Sequence, residues 1–299
     1  MAVISAVFFA AQAITARRAT VRVADSFIGV IITSFIALLA FAIIIPLMGE
    51  TKALTTLRWQ GYLFLLLAGM SHFVISRNLF YKSIQYTGAN VAGVTITTSP
   101  IYAVVLAIVI FHEPLTWQLA LGASLIVAGC VLVAWAPKMT TTSNSEDKTN
   151  SGKVTPEMRK KGILLGLAAG FGFGISTILV KYGLMAGASP IAGTFISYVG
   201  ACAILGAYLT QRGIRRRLFS MNRVVILYWC LVGIFLVCAH GLRYTALQQG
   251  SVSTVAPIIQ LNVVFILLFS FAVNRSVESF RWKVIVGAIA VVVGATLLY

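Results

Sequence analysis

The side chains in this sequence that could do chemistry are few, and most of them sit inside apolar stretches. His72 and His240 are the titratable candidates. An imidazole can relay a proton near neutral pH or donate to a carboxylate, and it can equally serve as a hydrogen-bonded packing group. Thr95, Thr98, Ser99 and Tyr102 recur at i, i+3, i+4 and i+7, which puts four hydroxyls on one helical face. Such a stripe lines a cavity or bonds a neighbouring helix at about 0.6 kcal/mol per contact. Gln260 and Asn262 follow closely on Pro257, whose missing N–H frees a backbone carbonyl one turn earlier. Tyr81 and Tyr244 are platforms for stacking an aromatic solute, or belt residues at the membrane interface. These ten residues are the candidate solute-binding set. Gln12 with Thr15, and Ser176 with Thr177, are further polar pairs that ordinary helix contacts would also explain.

The missing groups are as informative. All seven acids, Asp25, Glu50, Glu113, Glu146, Asp147, Glu157 and Glu278, fall at the ends of apolar stretches or in a polar linker. No carboxylate is left at mid-membrane to hold a cationic drug or carry a coupling proton, so the expected solute is neutral or zwitterionic. Glu113 and Glu278 each precede an apolar stretch, where a carboxylate is expected to cap the helix that follows. The chain has no H-E-x-x-H, phosphate-binding loop or nucleophile elbow, so no catalytic residue, metal or cofactor is expected. Cys130, Cys202, Cys230 and Cys238 all lie in apolar stretches, as packing residues rather than a disulfide framework.

The elements that must position these groups follow from hydropathy. Of the 299 residues 59% are apolar and 10% charged, with a mean hydropathy of +0.95. Nearly every apolar run approaches the ~20 residues a helix needs to cross the hydrocarbon core. The expected spans are residues 2–16, 25–48, 59–80, 90–111, 117–136, 162–182, 190–210, 224–243, 251–273 and 281–299. The fold class expected is therefore an all-α membrane protein of ten transmembrane helices. The first span is short and lacks the basic start and cleavage site of a signal peptide, so it is expected either to tuck inside the bundle or to follow residues absent here.

The net charge of +16 reads as a topology signal rather than a nucleic-acid surface, because the basic residues collect between spans. On the ten-span map only Lys52, Arg58, Lys181 and Arg243 of the 23 lysines and arginines fall on one side. The loops after spans 1, 3, 5, 7 and 9 are thus expected to be cytoplasmic and both termini periplasmic, in a bacterial inner membrane.

Two halves are expected, 1–136 and 162–299, joined by a cytoplasmic linker over 137–161 that is rich in Thr, Ser, Asn and charge. At an offset of 163 Tyr81 falls on Tyr244 and Gln85 on Gln248; at 165 Glu113, Trp117, Gly122 and Gly129 fall on Glu278, Trp282, Gly287 and Gly294. Five spans per half is odd, so the second half enters the membrane in the opposite sense, as an inverted-topology repeat. The cavity is then expected between spans 3, 4, 8 and 9, with spans 1 and 6 moving and spans 5 and 10 packed at the periphery. Gly162, Gly166, Gly170 and Gly174 form a small-residue stripe for close helix packing.

The segment HEPLTWQLALGASLIVAGCVLV from His112, its echo VESFRWKVIVGAIAVVVGATLL from Val277, and TTSPIYAVVLAIVIFHE from Thr97 resemble the drug/metabolite transporter superfamily of EamA type. The chain looks most like the YddG-type exporters of aromatic and other neutral amino acids, although its charge map departs from many relatives. The resemblance implies export by alternating access, as a facilitator or coupled to protons. Its implied partners are a small-molecule substrate and the lipid bilayer, with no nucleic acid, and a monomer suffices. Transport of a sugar phosphate, nucleotide sugar or drug, and membrane-embedded catalysis, are the alternatives.

Overall fold

The computed structural model describes residues 1–20, 26–135, 156–273 and 282–298, and among these residues every regular element is helical. The chain runs through α1 (Ala2–Thr20), α2 (Ser26–Leu47), the short α3 (Thr51–Thr55) and α4 (Trp59–Gly69). A π turn at Met70–Ser76 leads into α5 (Arg77–Ile96), followed by α6 (Ser99–Phe111) and α7 (Trp117–Trp135). Then come α8 (Pro156–Met185), α9 (Pro190–Tyr208), α10 (Arg212–Phe219) and α11 (Arg223–Gln249). Last are α12 (Val252–Ile258), a 3-10 turn at Ile259–Leu261, α13 (Asn262–Val273) and α14 (Trp282–Thr296).

Phe27–Leu47, Trp59–Ile84, Pro156–Met185, Pro190–Tyr208 and Arg223–Gln249 are long and apolar enough to cross a membrane, with mean hydropathies from 1.5 to 2.9. Ala2–Ala16, Ser99–Phe111, Trp117–Leu132, Val252–Ile266 and Ile285–Thr296 are shorter apolar helices. Leu39, Ile43, Val109, Leu164 and Leu227 point outward and are 61% to 70% exposed, a surface suited to lipid tails rather than water.

The helix starts carry their own signals. Ser189 accepts from Ala192 N at 3.2 Å with Pro190 at the first helical position; Asn222 accepts from Val224 N at 2.9 Å. α8 begins at Pro156, not at residue 162, because a proline followed by Glu157 supplies a helix start inside the polar run. Residues 136–155, including Ser145, together with Asp25 and Glu278, lie outside the described residues. α3 and the arginine-rich α10 are helices where the sequence predicts only loops.

A second difference lies between spans 3 and 4. The sequence predicts a loop over 81–89, but α5 stays helical to Ile96. Ser83 and Thr95 nevertheless both lie against Gly166 of α8. Twelve residues of straight helix span about 18 Å, so α5 must turn back on itself between these two side chains.

Packing follows an exchange pattern. α8 runs along α4 and α5, and α1 runs along α11. α6 meets α8 as α13 meets α1; α4 meets α9 as α11 meets α2. α7 and α14 pair closely, with Gly122 facing the Gly294 carbonyl and Gly129 facing that of Gly287. The α8 glycines admit the chain that passes them: Gly162 faces Tyr86 and Thr87, Gly170 faces Thr98, and Gly174 faces Tyr102.

Candidate functional site

Where these helices converge lies a cavity of about 240 Å³, lined by Phe9 of α1, His72 of the π turn, Ile96, Thr97, Ser99, Pro100 and Ala103 around the start of α6, Phe173 and Thr177 of α8, Arg243 of α11, and Ala256, Ile259, Gln260 and Asn262. Local irregularity builds much of its wall. α12 contains Pro257 and gives way to a 3-10 turn, so the backbone loosens where Ile259, Gln260 and Asn262 reach the cavity. The π turn adds a residue to its helical turn and carries His72 to the opposite wall. Ser99 and Pro100 open α6 there, after the break at Thr97 and Thr98.

Arg243 is the dominant charge. It lies within α11 and is 7% exposed, whereas the sequence map places it at the cation-poor face. The correction follows from where the helix ends. A span closing at residue 243 satisfies hydropathy alone, but α11 continues to Gln249 and stops at Gly250, about two turns further on. Arg243 Nη2 donates to Thr177 Oγ1 at 2.6 Å, and Thr177 in turn donates to the Phe173 carbonyl at 3.1 Å. The acids among the described residues lie elsewhere: Glu50 accepts from Ser189 Oγ, Glu113 from the backbone of Val252 and Ser253, and Glu157 is exposed in the first turn of α8. Among the described residues, then, the guanidinium has no acidic partner. A cation buried in an apolar helix is costly, so its place beside this cavity makes Arg243 a candidate functional residue.

Asn262 supplies the complement. It lines the same cavity, and its buried Oδ1 has no hydrogen-bond partner among the described residues. An unfilled acceptor and an underused guanidinium face one space, with Phe9, Phe173, Ile96 and Ile259 as the apolar surround. His72 Nδ1 and Ser176 Oγ lie 3.3 Å apart, and the ring meets Phe173 edge-on at 4.8 Å and His240 at 5.4 Å.

Of the ten residues singled out in the sequence, His72, Ser99, Gln260 and Asn262 line this cavity. The others are placed differently. Thr95 and Thr98 return their hydroxyls to the backbone, Thr95 to Ala92 O at 2.7 Å and Thr98 to Thr95 O at 2.6 Å, and with Tyr102 they pack on the glycine stripe of α8. Only Ser99 of the four-hydroxyl stripe turns to the cavity, because the chain breaks at Thr97 and Thr98 and the stripe is not one continuous helix face. Tyr244 donates to Ser197 Oγ at 2.8 Å, and Ser197 donates to Leu65 O at 2.8 Å, a buried tie between α11, α9 and α4. Tyr81 packs with Val30, Ile31 and Leu205. His240 is 2% exposed and lies behind His72, in edge contact with Phe9 at 5.1 Å.

Arg243, Phe9 and Phe173 were not legible as site residues. Arg243 had one usable signal, the Gly250-Ser251 stop that leaves it inside a helix; the two phenylalanines had none, since apolar residues inside spans are the norm. Spans 1 and 6 also contribute wall, through Phe9, Phe173 and Thr177, rather than only moving around the site.

The sequence pattern of the EamA-like transporter family matches residues 1–135 and 160–299. No curated protein matches the chain. A crystal structure of a protein overlays on 99% of this chain and 95% of its own with a TM-score of 0.75 at 14% sequence identity, a likeness of fold.

Proposed function

The chain belongs to the EamA-like transporter family, and we propose that it exports small zwitterionic solutes, neutral and aromatic amino acids first among them, across a bacterial inner membrane. One observation carries this reading: Arg243 and Asn262 face the same cavity with a guanidinium and an unfilled amide oxygen. The first suits a carboxylate and the second an ammonium group. The surrounding phenylalanines and isoleucines suit an uncharged side chain. At about 240 Å³ the cavity falls below the roughly 300–1,000 Å³ of pockets for drug-sized ligands, which disfavours a nucleotide sugar.

The transport cycle is alternating access by two five-helix halves, 1–136 and 162–299, spanning ten times as an inverted repeat. The exchange pattern of helix contacts supports it, since α1 with α11 and α8 with α4 and α5 are the pairings that a two-fold axis in the membrane plane would interchange. With no acid among the described residues of the cavity wall, the protein works as a facilitator. In liposomes L-phenylalanine should therefore equilibrate without an imposed pH gradient, and His72→Gln should keep more than about half the rate. Faster passage of a quaternary ammonium dye than of any amino acid would overturn the substrate class. An absolute need for a proton gradient would overturn the facilitator.

Orientation follows the cations. With Arg243 inside α11, the face that carries α3 keeps even fewer basic groups, while the opposite face holds α10 with Arg212, Arg215, Arg216 and Arg217. The α3 face is accordingly periplasmic, as are both termini. A reporter that functions only in the cytoplasm should stay silent when fused after Tyr299; an active fusion reverses the assignment.

A further inference from the structure

A second cavity of about 300 Å³ lies at the α3 end of the molecule, lined by Glu113, Thr116, Gln118, Ser251, Ser253 and Thr254 among others. That all these loops share one end follows from ring contacts. Tyr182 near the end of α8 meets Phe64 of α4 at 5.0 Å and Phe111 of α6 at 4.8 Å. Among the described residues, only α12 borders both cavities. Its first turn, through Ser253 and Thr254, lines the outer one, while Ala256 and the turn that follows line the central one.

The two ends of this seven-residue helix are held differently. At its start, Glu113 accepts from Val252 N and from Ser253 N, each at 2.9 Å, through its two carboxylate oxygens. This corrects the expectation that Glu113 caps its own following helix, since it reaches across to a helix of the other stretch. The reach depends on His112, the one non-glycine residue with positive φ among the described residues (φ 52°), which turns the chain at the end of α6. The preceding turn is anchored apart from α12: Lys181 Nζ donates to Leu247 O at 2.7 Å and to Gly250 O at 2.8 Å. At its other end α12 has Pro257, which has no N–H to give, and a 3-10 turn. It is latched at one end and loosely jointed at the other.

We propose that α12 is the gate between the two cavities, that the Glu113 carboxylate is its latch, and that the outer cavity is the vestibule through which solute leaves. The role of the vestibule rests on the transport reading above; the gate itself does not. The energetics suit a latch. A carboxylate on two backbone donors is a strong tie, yet one that water in the adjoining vestibule can replace when the helix moves. Ser251, Ser253 and Thr254, whose hydroxyls bond one another at 2.8 and 3.3 Å, line the way out.

The test measures accessibility of the central cavity. With the four native cysteines replaced by alanine, Ala256→Cys is labelled by a membrane-impermeant maleimide added on the side from which a reference Lys52→Cys reacts. Glu113→Ala should raise the labelling rate at position 256 by about tenfold, as expected for loss of a charge-assisted tie. An unchanged rate overturns the gate. Should Glu113→Ala fail to fold, Glu113→Gln answers the same question, since it keeps the side-chain volume and one acceptor oxygen but removes the charge and one of the two ties. It should raise the labelling rate at 256 in the same direction by a smaller factor; a rate equal to that of the parent overturns the gate. Labelling that responds to Glu113 in a protein that moves no amino acid would overturn the transport reading and leave the gate standing.

Discussion

Replacing Arg243 with glutamine is expected to lower amino-acid flux by about 100-fold per folded molecule, as removal of a buried, charge-assisted anchor does. The guanidinium has five N–H donors, of which Thr177 engages one, and no acid among the described residues neutralises it. On the proposed function, a solute carboxylate is its main electrostatic partner. Glutamine is neutral and shorter, so it removes both the charge and the reach of the guanidinium while keeping a polar, unbranched side chain in α11. Arg243→Lys should recover only part of the rate, because an ammonium cannot grip a carboxylate in two-point fashion. Ser99→Leu and Asn262→Leu should act in the same direction with smaller effect. Initial rates in liposomes, normalised to monodisperse protein, measure this; a glutamine variant within about threefold of the parent would sink the assignment of Arg243.

The largest effect on folding is expected at Gly69. A methyl group there would sit on the Ser197 carbonyl, with Ser197 C at 2.6 Å and Cα at 3.0 Å. Those are backbone atoms, so no rotamer change relieves the overlap, and α4 must move off α9. Overpacking of this kind costs typically 1–3 kcal/mol, and here it also pulls Leu65 O away from the Ser197 hydroxyl that binds it at 2.8 Å. Gly69→Ala should lower the thermal midpoint of the detergent-solubilised protein by several degrees. Gly213→Ala is the matched control: it lies in the exposed α10 with no atom within 4 Å of the added carbon, and it should leave the midpoint unchanged or raise it. Equal midpoints for both variants would show that the α4–α9 contact is soft.

What the sequence made legible was governed by whether a signal was local. The apolar segments, the glycine stripe and the crowding of cations at one face depend on nearby residues, and the helices follow them closely. His72, Ser99, Gln260 and Asn262 could be singled out because a polar group in an apolar run is conspicuous by itself. Thr95, Thr98 and Tyr102 look the same in sequence and differ only in what they face. The missing clue was that the α8 glycines needed a surface to pack on, and this stripe is part of that surface. Arg243 was misread for a related reason. Hydropathy fixes a span to within two turns, and two turns separate a loop cation from a buried anchor. Glu113 shows the limit of capping rules, which identify a carboxylate seeking free N–H groups but not which helix owns them.

The π turn at Met70–Ser76 has a consequence for how relatives of this chain must be compared. A π turn is one residue longer than an α turn, so it shifts the phase of the helix by about 100° without changing the number of spans or the loops around them. Residues before it, such as Leu65 and Leu66, and residues from its end onward, such as Ser76 and Ser83, thereby keep their facing partners on α8 and α9 while His72 is turned inward. A relative with one residue fewer between Gly69 and Arg77 would align well by hydropathy and still present a different side chain to the cavity. Within this fold, the side chain that faces the cavity can change by an insertion or deletion of a single codon, with no substitution in the wall at all.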